Sequence, residues 1–277
     1  MSGPAKTLRR ASLYGVALVV LGVVIVPIAF AVLGGFRTNR QLIESPAGLP
    51  DPWVWRNYTE TLQNSRFWRQ VGNSVLIALL TVTFVLPAAS MASFVLARYR
   101  FRGRESVYGL FTLGLLFPVA VAVIPLFVVI RQLDLLGNPL GVSLPQAAFQ
   151  LPLAIVIMRP FLRGIPQELQ DAAEIDGCGP WRFYWSVALP LSRPVLSTIA
   201  VITLVTSWNA FLLPLLVLND PDWHTLPIGV NNISTQYTTD YALVLAYTVL
   251  SMVPALVFYA IAERQIVGGL TAGAVKE

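Results

Sequence analysis

The chain has 277 residues, 56% of them apolar and only 12% charged, with a mean hydropathy of +0.67. Soluble domains carry roughly 25% charged residues, so this composition excludes an ordinary water-soluble protein and points to one built for a bilayer. The net charge of +5 comes with no basic-aromatic groove and no nucleic-acid module, and it reflects membrane topology, not nucleic acid.

A membrane span takes about 20 mainly apolar residues, and six stretches approach that pattern, near 13–33, 71–97, 107–130, 141–162, 195–218 and 241–262. They predict an all-α fold, a polytopic membrane helical bundle with six transmembrane helices across residues 13–262. Residues 1–12 are then a cytoplasmic N-terminus and 263–277 a cytoplasmic C-terminal tail. The first stretch follows Lys6, Arg9 and Arg10. Its apolar run exceeds the roughly 7 to 15 residues of a cleaved signal, so it is expected to remain as a helix. Trp53, Trp55, Phe67 and Trp68 then stand beside charged neighbours, as in a helix lying at the membrane interface before the second span. The fourth stretch is interrupted by Pro145, Gln146, Gln150 and Pro152. Such breaks are tolerated where neighbouring helices satisfy the freed carbonyls, so this helix is expected inside the bundle.

Lys and Arg set the orientation. The cluster Arg98, Arg100, Arg102 and Arg104, with Lys6, Arg159, Arg163 and Lys276 among others, favours both termini in the cytoplasm, although Arg37, Arg40, Arg56, Arg66 and Arg69 dilute the bias. The second, third, fifth and sixth spans hold no ionisable side chain of the Asp, Glu, Lys, Arg or His type. Ion-coupled transporters commonly place such groups at the midplane, at about 2.5 to 3.5 kcal/mol each on insertion scales, so secondary transport is disfavoured. The polar residues present, among them Asn73, Thr81, Thr206, Ser207 and Asn209, fit two roles. They hold helices together by hydrogen bonds, or they line a path for an uncharged, hydroxyl-rich solute.

No catalytic or metal-ligating set is visible. Cys178 is the single cysteine, and His224 has no Cys or His companion nearby. A phosphate-cradling GxxxxGK[ST] loop needs Gly before Lys, whereas Lys6 and Lys276 follow Ala5 and Val275. Energy for any active transport must therefore come from elsewhere than a nucleotide site on this chain.

The cytoplasmic loop 163–190 is the most informative polar segment. Pro166 suits a helix start, Gln167 to Asp176 are good helix formers, and Gly177 is placed to end the helix in a left-handed cap. Glu168, Ala172 and Ile175 share one face. A second short helix is predicted from Pro180, presenting Trp181, Tyr184 and Trp185, before Leu189-Pro190 returns the chain to the membrane. On these residues alone the loop fits a docking element and a solvated connector with an interfacial aromatic helix equally well.

Asp171-Ala172-Ala173, Asp176-Gly177 and Leu189-Pro190 together resemble the EAA loop of permease subunits in binding-protein-dependent ABC importers. Asn57-Tyr58, Ala97 to Arg104, Ile124 to Phe127, Leu135 to Asn138 and Pro160-Phe161 through Pro166 are similar to the carbohydrate branch of that family, and Gly269 to Lys276 to the tail of the smaller subunit of maltose permeases. The resemblance implies a bacterial inner-membrane importer with a second, different permease subunit. Two copies of a cytoplasmic ATPase would hold the ATP and Mg, and an extracytoplasmic binding protein would deliver a carbohydrate; this chain itself would bind no cofactor and catalyse nothing. Asp171, Ala172 and Ala173 would form the docking face, with Asp176 and Gly177 ending its helix and Leu189-Pro190 fixing the return. The tail from Leu270 to Lys276 would also touch the ATPases. Asp171 stands where the family usually has Glu, one methylene longer, so charge survives with a shorter reach. For substrate contact, Trp208 and Asn209 offer a ring and an amide to a sugar, and helix packing accounts for them nearly as well. A polyol or glycerol phosphate importer, an ion-coupled transporter and a structural assembly subunit remain as alternatives.

Overall fold

In the computed structural model the described residues are 4–235 and 240–274, with side chains at 12–233 and 240–260. Lys6, Arg9, Arg10, Arg264 and the tail side chains from Leu270 to Lys276 lie outside the described side chains. Among the described residues the chain is helical, with no strand. Four helices are long and apolar enough to cross a membrane, and two bent pairs bring the number to as many as six.

The chain divides into two compact units. The first comprises Met1–Phe67 and Val230–Val253. It begins with α1 (Pro4–Gly35), followed by the short α2 (Asn39–Glu44) and α3 (Arg56–Gln63). A capping box starts α2, with the Gln41 amide N–H donating to Thr38 Oγ1 and the Thr38 N–H to Gln41 Oε1. Arg37 is buried beneath this segment and donates to the carbonyls of Pro46, Gln41 and Ser45. Asn57 and Tyr58 on α3 donate to the carbonyls of Gly35, Arg37 and Val32. Trp53 and Trp55 remain well exposed, as an interfacial position requires. Phe67 departs from that expectation: it is buried edge-on against Tyr247, with ring centroids 5.1 Å apart, because the chain has by then entered the bundle.

The second unit comprises Trp68–Gly229 and Pro254–Glu277. Its elements begin with α4 (Ser65–Arg98), α5 (Arg104–Gly114), α6 (Val119–Gln132) and α7 (Pro139–Gly164). The polar loop segment follows as α8 (Gln167–Ile175), α9 (Pro180–Phe183), a wide π turn over Tyr184–Ala188 and the single turn α10 (Leu189–Leu191). After it come α11 (Arg193–Trp208) and α12 (Leu212–Val217), while α13 (Leu226–Thr235) and α14 (Tyr241–Ala274) each have residues in both units. Val85, Ile155, Met158, Leu162 and Ile199 are buried together with Phe94, Phe183 and Tyr184, so the main core joins α4, α7 and α11 to the loop segment.

Two spans differ from the sequence reading. The third is not one rod: α5 and α6 meet at 98° around Leu115–Pro118, where Pro118 is extended and has no N–H to continue the ladder. The fifth stops at Trp208 and resumes as α12, so the stretch expected at 195–218 is two helices. The fourth, despite internal Pro145, Pro152 and Pro160, is a single helix with a large buried share. Its burial in protein is what makes the proline-freed carbonyls tolerable.

Candidate functional site

The loop helix α8 runs where Pro166 and Gly177 predict it. Gly177 has φ +73°, its N–H donates to the Glu174 carbonyl at 3.0 Å, and the Cys178 N–H donates to the Ala173 carbonyl at 2.8 Å. These two bonds are the Schellman pair, which satisfies carbonyls that a helix end otherwise strands. Asp171, Ala172, Glu174, Ile175 and Asp176 are exposed, and Ile175 is 86% accessible. Gln167 Nε2 donates to Asp171 Oδ1 at 3.1 Å, which steadies that carboxylate on the outer face. Ala173 instead turns inward and packs on the core, so the two alanines serve different sides of the helix.

Gln170 is the one buried residue of α8. Its Oε1 accepts from Arg98 Nε at 2.9 Å, while its Nε2 donates to Glu174 Oε1 at 3.0 Å. Arg98, the last residue of α4, also donates to the Ile165 carbonyl at 2.7 Å. Next to it, burial and then the nearby Glu174 carboxylate push the Tyr99 phenol above its ordinary range, with Arg98 pulling the other way. A second polar cluster joins the start of α5 to the end of α7: Glu105 Oε1 accepts from Arg159 Nη2 at 2.5 Å and from Arg163 Nη2 at 3.1 Å, and the Arg159 guanidinium stands 3.9 Å from the Tyr108 ring. From sequence alone these arginines mark only orientation.

Downstream, Trp181 and Trp185 are exposed; Trp181 stacks on Tyr184 and Trp185 meets it edge-on, and the Tyr184 hydroxyl is 2.7 Å from Ser90 Oγ on α4. Leu189 and Pro190 lie inside the helical turn α10, with Leu189 half-buried and Pro190 exposed. The axis bends by 74° at Ser192 into α11. Pro194 explains the position: without an N–H it cannot bond the Pro190 carbonyl four residues back.

Within the second unit a cavity of about 270 Å³ opens between α4, α6, α7 and α11, just below the roughly 300–1,000 Å³ typical of small-molecule sites. Its polar lining comes from Thr81, Gln146, Gln150, Thr206 and Ser207, and no lining residue is charged. Gln146 Oε1 accepts from Thr81 Oγ1 at 3.1 Å and from Ser207 Oγ at 2.6 Å. Its Nε2 is buried without a hydrogen-bond partner. A buried idle donor costs about 1–3 kcal/mol.

Trp208 and Asn209 follow Ser207 but do not line this space. Trp208 is 4% exposed, edge-on to Phe258 at 6.1 Å, and Asn209 Nδ2 donates back to the Val205 carbonyl at 2.8 Å. Trp208→Ala is therefore expected to lower complex yield and uptake together, since emptying an aromatic site costs about 3–5 kcal/mol. Gln146→Leu should lower uptake at unchanged yield. Quantifying purified complex against transport from the same membranes separates the two. Among the described residues no group of three or more His, Cys, Asp or Glu is placed to hold a metal.

Residues 86–265 match the family described as binding-protein-dependent transport system inner membrane component, which spans more than half of the chain. The chain belongs to this family. The permease is 33% identical over 273 residues to the diacetylchitobiose uptake system permease protein NgcG of Streptomyces coelicolor, covering 97% of this chain and 90% of that one. It is 34% identical over 262 residues to the arabinooligosaccharides transport system permease protein AraQ of Halalkalibacterium halodurans, covering 92% of each. Its fold is similar to the crystal structure of a bacterial ABC transporter involved in the import of the acidic polysaccharide alginate, with a TM-score of 0.81 at 20% identity over 95% of this chain and 98% of that one.

Proposed function

We propose that this permease is one transmembrane subunit of an ATP-driven importer for a carbohydrate, a mono- or oligosaccharide handed over by an extracytoplasmic binding protein. The observation that carries the reading is the exposed, Gly177-capped helix α8 on a chain whose relatives are oligosaccharide uptake permeases. Its partners are a second, different permease subunit and two copies of a cytoplasmic ATPase, which bind the ATP and Mg. Both termini face the cytoplasm, in keeping with the arginine distribution.

The outer face of α8 seats in the ATPase through Asp171, Ala172 and Ile175, with Gly177 holding the cap that presents it. Closure of the ATPase dimer on ATP displaces α8, and rocking of the attached spans alternates access to the solute path. The cavity supports a neutral, hydroxyl-rich solute: its lining offers hydroxyls and amides and no cation, which a phosphorylated solute would require. The Gln146 donor left unpaired is the group a sugar oxygen would take.

Purification of the permease at native expression in a mild detergent, with mass spectrometry of stoichiometric partners and an ATPase assay, tests the assembly. Recovery of a nucleotide-binding ATPase and a second multi-span protein is the expected result. A chain recovered alone or as a homo-oligomer, in a detergent that keeps known importers intact, would defeat the coupling role of α8 and bring ion-coupled transport forward.

A further inference from the structure

A helix that only had to rest on the bundle would bury an aliphatic side chain, yet the one buried side chain of α8 is the amide of Gln170. Burying an amide is unfavourable unless both ends are bonded. Here both ends are bonded to charged groups: the oxygen to the Arg98 guanidinium at 2.9 Å and the nitrogen to the Glu174 carboxylate at 3.0 Å. Each bond is charge-assisted, and the amide dipole lies between a cation and an anion in the favourable sense, so each bond strengthens the other. Arg98 adds a third tie, to the carbonyl of Ile165 just before α8. The result is a continuous polar path from the exposed Glu174 carboxylate through Gln170 to the end of α4.

Helix α4 leads straight to the cavity, since its Thr81 is bonded to Gln146 there. One proline, Pro87, lies between Thr81 and Arg98. We propose that Arg98, Gln170 and Glu174 form a positioning relay that makes α8 and the cytoplasmic end of α4 move as one body, so that displacement of the docked helix is delivered through α4 to the cavity. The proposal rests on the importer reading above. It gives Arg98 and Gln170 a role that requires no contact with ATPase, nucleotide or solute.

The test uses the whole complex in lipid nanodiscs, in a Cys178→Ser background, with spin labels at the exposed positions Val95 on α4 and Glu168 on α8. Pulsed EPR distances are recorded without nucleotide and with ATP plus vanadate. With the relay intact, the label-to-label distribution stays narrow in both states. Gln170→Met keeps side-chain length and burial but removes both amide bonds, and it should widen the distribution at least about twofold, as a locally loosened element does. Arg98→Lys, able to keep one of the bonds, should fall between. A Gln170→Met distribution as narrow as the parent in both states overturns the relay. If that variant fails to assemble, the exposed Glu174→Ala carries the test: widening supports the relay, and an unchanged distribution overturns it. A parent complex with no vanadate-sensitive ATP hydrolysis would instead defeat the importer reading, which separates the two failures.

Discussion

Gly177→Val is expected to strip the ATPase from the purified complex while leaving the permease in the membrane. No heavy atom stands within 4 Å of the position a Cβ would take, so the effect is not a clash. It lies in the backbone, because φ is +73° and an L-residue in that conformation costs about 1–2 kcal/mol, more when branched at Cβ. Relief of that strain means abandoning the two bonds that end α8, and with them the orientation of Asp171 and Ala172. Bound ATPase should fall by about fivefold or more, the population change that such an energy produces. Gly177→Asn, whose side chain tolerates the left-handed region, should retain most of it. Unchanged recovery with Val, measured as the ATPase to permease ratio after affinity purification, would remove the cap from the coupling account.

Asp171→Lys is expected to separate hydrolysis from uptake. The carboxylate is exposed and steadied by Gln167, so the substitution leaves the fold intact and reverses a charge on the face proposed to dock. Reversal at a charge-paired interface costs more than loss of one pair, which is itself about 2–5 kcal/mol. In proteoliposomes containing the full complex, solute taken up per ATP hydrolysed should fall at least about tenfold, and Asp171→Glu, which restores the family's more usual side chain, should transport normally. Normal uptake by Asp171→Lys would show that this carboxylate has no part in coupling.

The six apolar stretches, the helix at 167–175 and its left-handed end were all legible in the sequence, because hydropathy, Pro166 and Gly177 are local signals. The breaks at Leu115–Pro118 and after Trp208 were not. The first lies in uniformly apolar surroundings and the second beside only uncharged Thr206, Ser207 and Asn209, where composition reports a span and is blind to its axis. Phe67 was misread for a related reason: an aromatic among charged residues suits an interface, and only the fold reveals Tyr247 beside it. Gln146 stood out as an interruption of a span, but its partners Thr81 and Ser207 are 65 and 61 residues away. Arg98 and Gln170, 72 residues apart, gave no pairwise signal at all. Charge counting assigned Arg98 to topology, which explains its side of the membrane and nothing of its contacts.

The prolines of α7 bear on how force travels. Pro145, Pro152 and Pro160 each remove one rung of that helix's ladder, leaving the carbonyls of Gly141, Ala148 and Val156 without their usual donors. Such a helix is compliant at those points. Although α7 is the element joined directly to α8 in sequence, two of its soft points fall between Gln146 and the loop, against one on the corresponding stretch of α4. Covalent adjacency and mechanical stiffness therefore part company here, and the better lever is the helix that reaches α8 only through side chains.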